Sequence, residues 1–345
     1  MRRSLLCPVS LMKTVVLDAR ANESAAVAAA SEVLSRNGIV ALPTETVYGL
    51  AGNAFEPESV SKIFEAKNRP SFDPLIVHIG SLDLLLRLIA DPECIGPVEA
   101  QLIERFWPGP LTLLFPRSAL IPDLVTAGLD EVAIRMPRHP LFLAVLKAFG
   151  NPLAAPSANR FGRVSPTQAA HVLEELGGRI PLILDGGNTE LGVESTIVRV
   201  IANRIEILRP GPVTEEELAA IAPPDELISP RMIVAPGQIP SHYAPTKPVR
   251  ILNAGKIDSG SQKRGFLCWG PIRHSERFAV VRSLSESRDL RIAAQRLFGL
   301  MREMDRMDVE EIVIDRVPES GLGKAIMNRI RRAAAPRAAD RQQDD

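Results

Sequence analysis

Seven short apolar runs recur between residues 38 and 211: GIVALP, PLIVHIG, LTLLFP, VAIRMP, PLILDGG, STIVRV and RIEILRPG. Each is rich in Val, Ile or Leu, and most stop at proline or glycine, as strands do. Helical patterns separate some of them. NESAAVAAASEVLSRNG closes on Gly38, a residue suited to a helix C-cap. PESVSKIFEAKN places Val60, Ile63 and Phe64 on one face. HPLFLAVLKAFG has Pro140 near its start and Gly150 after its end. SPTQAAHVLEELGG opens with Ser165 as N-cap and Pro166 as first helical residue. Strands interleaved with helices in this way predict an α/β fold, a twisted mixed sheet with flanking helices over residues 14–214.

The texture changes at Thr214, which forms a predicted capping box with Glu217. IAPPDELISPRMIVAPGQIPSHYAPTKPV follows, dense in proline, and reads as an extended linker over residues 215–246. Beyond it VRILNAG, GFLCWG, FAVVRSL and EEIVIDRV read as strands, and LRIAAQRLFGLMREMD and GKAIMNRIRRAAA as helices. They predict a smaller, second α/β domain over residues 247–335. Residues 1–13 and 336–345 read as tails. Two domains also suit the length, because 345 residues exceed the ~250–300 at which single cores stop growing.

Composition removes several function classes. Lys+Arg and Asp+Glu both number 41, so no bulk field draws the chain to nucleic acid or an anionic membrane. Cys7, Cys94 and Cys268 are too scattered for a disulfide framework or a zinc spacing, and a reducing cytoplasm fits them. No apolar run approaches the ~18 residues of a membrane span. The basic start MRRSLLCPVSLMK reads as a loose tail, with a transit segment or a start at Met12 as the alternatives.

Familiar nucleotide and hydrolase motifs are missing. In ESGLGKA, Pro318 and Ala325 replace the first glycine and the metal-binding hydroxyl of a phosphate loop, and no GxGxxG, HExxH or GxSxG occurs in the expected context. The chemistry-bearing residues sit instead at strand ends and turns. Lys67 and Arg69 stand where Pro70 should stop a helix. Two cations there suit phosphates, and they also suit the helix C-terminus. His78 lies among the apolar residues of PLIVHI, as a buried histidine satisfied by the backbone does. Arg135, inside VAIRMP, needs either a bound carboxylate or phosphate or an internal salt bridge. Ser157, Asn159 and Ser165 occupy turns whose amides can cradle an anion, and the start of the helix after Ser165 is itself an anion site. Ser195 and Thr196 open a strand, as site hydroxyls or as an edge pair, and Arg209 ends one, as a site cation or a surface arginine. Together these residues describe a concave site with cations, hydroxyls and turn amides but no protein nucleophile. Such a site positions substrates that react with each other.

PTETVYGLAG, KIFEAKNRP…PLIVHI, WPGPLTLLF, VAIRMPRHP, PLAAPSANRFGRVSPT, ILDGG…GVESTIV and ILRPG resemble, in order, the motifs of the YrdC-like family. SHYAP and GLGKAIMNRIRRAA resemble its long, two-domain members, the threonylcarbamoyl-AMP synthases, in which the second domain is Rossmann-like. The resemblance implies an L-threonylcarbamoyladenylate synthase. L-threonine and bicarbonate give a carbamate, which attacks the α-phosphate of ATP with Mg²⁺ present, and pyrophosphate leaves. A threonylcarbamoyl-transferase complex then modifies adenosine beside the tRNA anticodon.

The resemblance also implies roles. Thr46, His78, Arg135 and Ser195 hold L-threonine, Arg135 through its carboxylate. Lys67, Arg69, Asp73, Ser157, Asn159, Ser165, Arg209 and Tyr243 bind ATP, with Lys67 and Arg69 positioning the phosphates. The stretch LPTETVYGL becomes the wall of an amino-acid pocket, and Tyr243 closes the nucleotide site from a lid-like linker. Which residues meet the metal is left open. Three departures stand out. Asp73 replaces a common Asn and either faces Mg²⁺ or turns away. Glu131 replaces a hydroxyl. Gln238, Ile239, Pro240 and Ser241 replace a Met-Lys-Tyr-Arg segment of the lid. A degenerate synthase is one reading of them. An RNA-binding module of the same family is opposed by the zero net charge, and a hydrogenase-maturation carbamoyltransferase by the absence of cysteine-rich zinc modules.

Overall fold

The computed structural model describes residues 12–223, 236, 242–252 and 263–336. The altered lid positions Gln238–Ser241, the Cys7 segment and residues 337–345 lie outside the described residues.

Ten strands form one mixed sheet. From one edge to the other they are β1 (Val15–Asp18), β8 (Leu182–Asp185), β2 (Val40–Pro43), β3 (Tyr48–Asn53), β7 (Leu153–Ala154), β4 (Ile76–His78), β6 (Glu131–Arg135), β5 (Leu111–Pro116), β9 (Thr196–Ile201) and β10 (Arg204–Arg209). All seven apolar runs are strands of this sheet. The pairs β1–β8, β8–β2, β4–β6 and β5–β9 are parallel, and the rest are antiparallel.

Alternation along the strands sends side chains to two cores. Val40, Leu42, Leu182 and Leu184 face the helices α1 (Glu23–Ser35) and α6 (Pro140–Phe149), whose Ala26, Ala30, Leu34, Phe142 and Val145 complete that layer. Ala41 and Ile183 face the opposite layer, with α2 (Pro57–Lys67), α4 (Pro97–Phe106) and α7 (Ala169–Leu176). Val60, Ile63 and Phe64 of α2 are buried together there, as the spacing predicts. Burial on both faces explains why these strands read as continuous apolar runs.

Two helix ends differ from the sequence reading. After α1, Asn37 takes the left-handed conformation at φ 55°, not Gly38. Gly38 is needed for space instead, since a Cβ there would lie 2.7 Å from the Val33 carbonyl oxygen. Pro140 and Gly150 do bracket α6 as expected, Gly150 at φ 77°. The helix expected from Ser165 starts at Ala169, with Gln168 at its N-cap. The Tyr48 amide holds the Pro166 carbonyl at 2.9 Å, so the chain runs on beside β3 before it coils.

The Thr214–Glu217 capping box is present at the start of α8 (Glu215–Ala219). The second sheet is wholly parallel: β11 (Val249–Ile251), β14 (Glu311–Ile314), β12 (Arg264–Trp269) and β13 (Val280–Ser285). Helices α9 (Leu290–Arg306) and α10 (Leu322–Ala333) pack on one face through Leu297, Met301, Ile326 and Ile330. That core does not stop at the second domain. Val47, Val164, Val193 and Tyr243 from the first domain and linker belong to the same buried cluster. Among the described residues, no helix is long and apolar enough to cross a membrane.

Candidate functional site

The cavity of interest opens between the ends of β2, β4, β6, β9 and β10 and the linker. The cavity, about 50 Å³, is bounded by residues that include Thr44, Thr46, Arg69, His78, Arg135 and Ser157, with Glu194, Ser195, Arg209, His242 and Tyr243 opposite.

One wall is the turn from β2 to β3. The Thr44 hydroxyl oxygen accepts the amides of Thr46 and Val47 at 3.0 and 3.2 Å, and the hydroxyls of Thr44 and Thr46 lie 2.7 Å apart. Local hydroxyl-to-backbone bonds fix such turns. They aim Thr46 at Arg135, whose Nη1 donates to the Thr46 hydroxyl at 3.0 Å. Arg135 has an internal counter-ion as well. Its Nη2 is 2.6 Å from Glu45 Oε1, a close ionic contact whose angle falls outside a hydrogen bond. Nε donates to the Gly109 carbonyl. Each terminal nitrogen still carries a second N–H for a ligand. Burial pushes the Glu45 carboxyl up, but Arg135 outweighs it and holds it below the usual range.

His78 ends β4, is buried, packs 5.2 Å from the Phe142 ring and has no partner at Nδ1. Burial, with the Arg135 charge, pushes its pKa down to about 3, so the ring is neutral. The backbone of Ile76 and Leu153 interacts with the ring, as expected of a buried histidine, while its buried Nδ1, without a partner among the described residues, is available to a ligand in the cavity.

The AKNRP turn divides its two cations. Asn68 closes α2 in the left-handed conformation, and the helix stops ahead of Pro70 as expected. Arg69 faces the cavity while Nε and Nη2 donate to the carbonyls of Asp73 and Pro74 at 3.0 and 2.7 Å. Lys67 does not line the cavity. It is fully buried, and its amine donates to the carbonyls of Ser157 at 2.6 Å and Asn159 at 2.5 Å. Burial and the Arg69 charge hold its pKa well below that of an ordinary lysine. The residue fixes the 157–159 turn, with Asn159 Nδ2 bonding the carbonyls of Arg160 and Arg163. Asn159 therefore shapes the loop, and Ser157 is its member on the cavity. Asp73 turns inward, where its Oδ2 lies 2.8 Å from Arg69 Nη2. Burial raises its pKa. Glu131 pairs at 2.9 Å with Arg199, in a surface network apart from the cavity.

The opposite wall is built from β9 and β10. Arg209 is buried, donates from Nε and Nη2 to the carbonyl and hydroxyl of Ser195 at 3.0 and 3.1 Å, and from Nη1 to the Pro236 carbonyl at 3.2 Å. Burial pushes its pKa down to about 10, so it stays charged at neutral pH. Ser195 also meets the Thr112 hydroxyl at 2.8 Å. Ser165 is not a helix cap; its hydroxyl donates to Glu194 Oε1 at 2.5 Å, behind the cavity wall. Tyr243 stands in the left-handed region at φ 61°, stacked 5.6 Å from Phe298 of α9, with no partner on its hydroxyl among the described residues.

Thr46, His78, Arg135, Ser195, Arg69, Ser157, Arg209 and Tyr243 thus meet at one cavity, while Lys67, Asp73, Asn159 and Ser165 support it from behind. Sequence reasoning placed Thr44 and Glu45 in the pocket wall without a role of their own and passed over Thr112, Glu194 and His242. The two acids carried a readable signal, since a carboxylate inside an apolar stretch demands a cation. Among the described residues there is no cluster of three or more His, Cys, Asp or Glu that could hold a metal ion. An ion brought by a triphosphate needs at most one or two protein carboxylates.

Comparison with known proteins agrees with this architecture. The Sua5/YciO/YrdC family model, described as telomere recombination, matches residues 32–211, and that of the threonylcarbamoyl-AMP synthase C-terminal domain matches residues 213–335. The threonylcarbamoyl-AMP synthase of Bacillus subtilis is 40% identical over 93% of this chain and 96% of its own. That of Pyrococcus abyssi is 37% identical over 94% of this chain and 98% of its own. The crystal structure of P. abyssi Sua5 complexed with L-threonine superposes with a TM-score of 0.82 at 37% identity, covering 93% of this chain and 98% of that one. The chain belongs to the Sua5/YciO/YrdC family, in the two-domain form that carries the threonylcarbamoyl-AMP synthase C-terminal domain.

Proposed function

We propose that this protein is a threonylcarbamoyl-AMP synthase that joins L-threonine, bicarbonate and ATP and releases pyrophosphate. The observation that carries the reading is the meeting of three buried arginines, Arg69, Arg135 and Arg209, at one cavity that has no cysteine in its lining and whose serines, Ser157 and Ser195, share no hydrogen bond with its histidines, His78 and His242, among the described residues. The substrates must then supply the nucleophile, and the protein orients them.

In this reading Arg135 and Thr46 take the threonine carboxylate, with Ser195 and neutral His78 beside the rest of the amino acid. The free amine adds to bicarbonate with loss of water. A carboxylate oxygen of the resulting carbamate attacks the α-phosphorus, the bond to the bridging oxygen breaks, and pyrophosphate carries away the electron pair. Arg69 and Arg209 stabilise the charge that develops on the phosphoryl oxygens. His78, neutral with a pKa of about 3, serves as a hydrogen-bond group. Mg²⁺ enters with ATP as part of that substrate. Tyr243 and His242 close the nucleotide side. The product is a mixed anhydride, to be consumed in the cytoplasm by a threonylcarbamoyl-transferase complex acting on tRNA.

The test is pyrophosphate release from the full chain with ATP, Mg²⁺ and bicarbonate. The expected result is release that requires threonine, is lost without bicarbonate and is much weaker with serine. Release independent of threonine, or none from folded protein, overturns the reading.

A further inference from the structure

Arg329 belongs to α10 of the second domain, yet apart from its neighbour Asn328 its partners belong to the first domain and the linker. It is fully buried, with Nε 2.7 Å from Glu194 Oε2. Nη1 donates to the Pro210 carbonyl at 3.1 Å and to Asn328 Oδ1 at 2.8 Å, and Nη2 to the Glu194 carbonyl at 3.4 Å. Its Cζ lies 5.1 Å from the Tyr243 ring centre, within cation–π range. Glu194 and Tyr243 both line the cavity, and Pro210 directly follows Arg209.

A second buried arginine extends the arrangement. Arg302 of α9 pairs with Glu175 at 3.1 Å and donates to the Val164 carbonyl. Val164 precedes Ser165, whose hydroxyl holds the other oxygen of Glu194. The run Arg302, Val164, Ser165, Glu194, Arg329 therefore links both helices of the second domain through the cavity wall.

Glu194 is a buried carboxylate on a wall shared with Arg69, Arg135 and Arg209. Without a counter-ion it would repel a triphosphate and compete for Arg209. In the structure Arg209 spends its donors on Ser195 and Pro236, and Arg329 answers Glu194. Arg329 and Arg209 together outweigh burial and hold the Glu194 carboxyl below its usual range, so the pair is ionised.

We infer that Arg329 is a positioning residue: it holds Glu194 away from Arg209, so that the second domain is a working part of the nucleotide site. The inference rests on the proposed assignment of Arg209 to ATP. It differs from simple domain docking in a measurable way, because a docking bridge has no reason to act on one substrate and not the other.

The experiment compares Arg329→Met, Arg329→Lys and Arg329→Met/Glu194→Gln with wild type in the full chain, reading KM for ATP, KM for threonine and Tm. Arg329→Met should raise KM for ATP about tenfold or more and leave KM for threonine within about threefold. Arg329→Lys should recover part of the ATP effect. The double variant, which removes the stranded carboxylate, should return KM for ATP to within about threefold of wild type. An unchanged ATP KM in Arg329→Met, equal changes for both substrates, or no rescue in the double variant overturns the inference. If Arg329→Met does not fold, the folded double variant decides: near-wild-type ATP KM supports the inference, and a tenfold rise overturns it. Wild type that binds ATP but releases no pyrophosphate defeats the proposed function alone, and the Kd for ATP by calorimetry then replaces KM. Wild type that binds no ATP overturns both.

Discussion

Arg135 Nη2 lies 2.6 Å from Glu45 Oε1, with both side chains buried, and the same guanidinium bonds the Thr46 hydroxyl. The internal salt bridge and the proposed substrate cation are therefore one residue. Arg135→Ala strands Glu45 as an uncompensated buried charge, which costs about 3–5 kcal/mol of stability in a denaturant titration. It should also raise KM for threonine strongly. Arg135→Met/Glu45→Gln separates the two roles: stability should return in large part while the threonine KM stays high. Recovery of both, or an unchanged threonine KM in either variant, removes Arg135 from the substrate carboxylate.

The Tyr243 hydroxyl is buried and has no partner among the described residues. Tyr243→Phe deletes an unsatisfied polar group, so Tm should hold or rise slightly. If the missing partner is the nucleotide, KM for ATP should rise about three- to tenfold, the worth of one hydrogen bond. A falling Tm with unchanged ATP KM would show that the hydroxyl serves the fold instead.

Acid should weaken this protein before its carboxylates titrate. Burial holds His78 at about 3 and His171 at about 4, against an unfolded value of 6.5. Between those limits the unfolded chain binds protons that the folded chain refuses, so stability falls as pH drops below 6.5. Each histidine contributes up to about 1.4 kcal/mol per pH unit inside its window. Tm measured from pH 7.5 to 5 should decline, and the decline should be shallower in His78→Asn. A flat wild-type profile would show that these rings take up protons in the folded state.

Strand positions were legible in the sequence because burial on both faces makes them continuous apolar runs, and the helices of the second domain were legible from their periodicity. The members of the site at strand ends, such as Arg135 and Arg209, were legible because a cation in an apolar run requires a partner. Their actual partners were not. Glu45 for Arg135 and Glu194 for Arg329 are tertiary choices, made between segments that lie far apart in the chain. Ser165 shows the same limit from the other side. A Ser-Pro pair is a sound N-cap signal, but a buried carboxylate takes the hydroxyl and the helix begins later. Lys67 reads as a phosphate ligand in the sequence because it stands with Arg69 at the same turn; only the fold shows that its amine is spent on two turn carbonyls.

Two glycines give a test of how tightly the wall around Ser195 is built. A Cβ on Gly211 would lie 2.3 Å from the Thr196 amide nitrogen, 2.6 Å from the Ser195 carbonyl carbon and 2.8 Å from the Glu194 oxygen. All three are backbone atoms and cannot rotate away, so Gly211→Ala must displace the start of β9. Arg209 is fixed to Ser195, and Arg329 to Glu194, so the displacement reaches both cations at once. Activity should fall at least about tenfold, with a loss of about 1–3 kcal/mol in stability from overpacking. Gly299, inside α9, has an ordinary helical backbone, and a methyl group added there would meet nothing within 4 Å. Gly299→Ala should therefore stabilise by about 0.5–1 kcal/mol and leave activity alone. If Gly211→Ala matches Gly299→Ala in Tm and turnover, the wall is soft and the position of Ser195 does not depend on that contact.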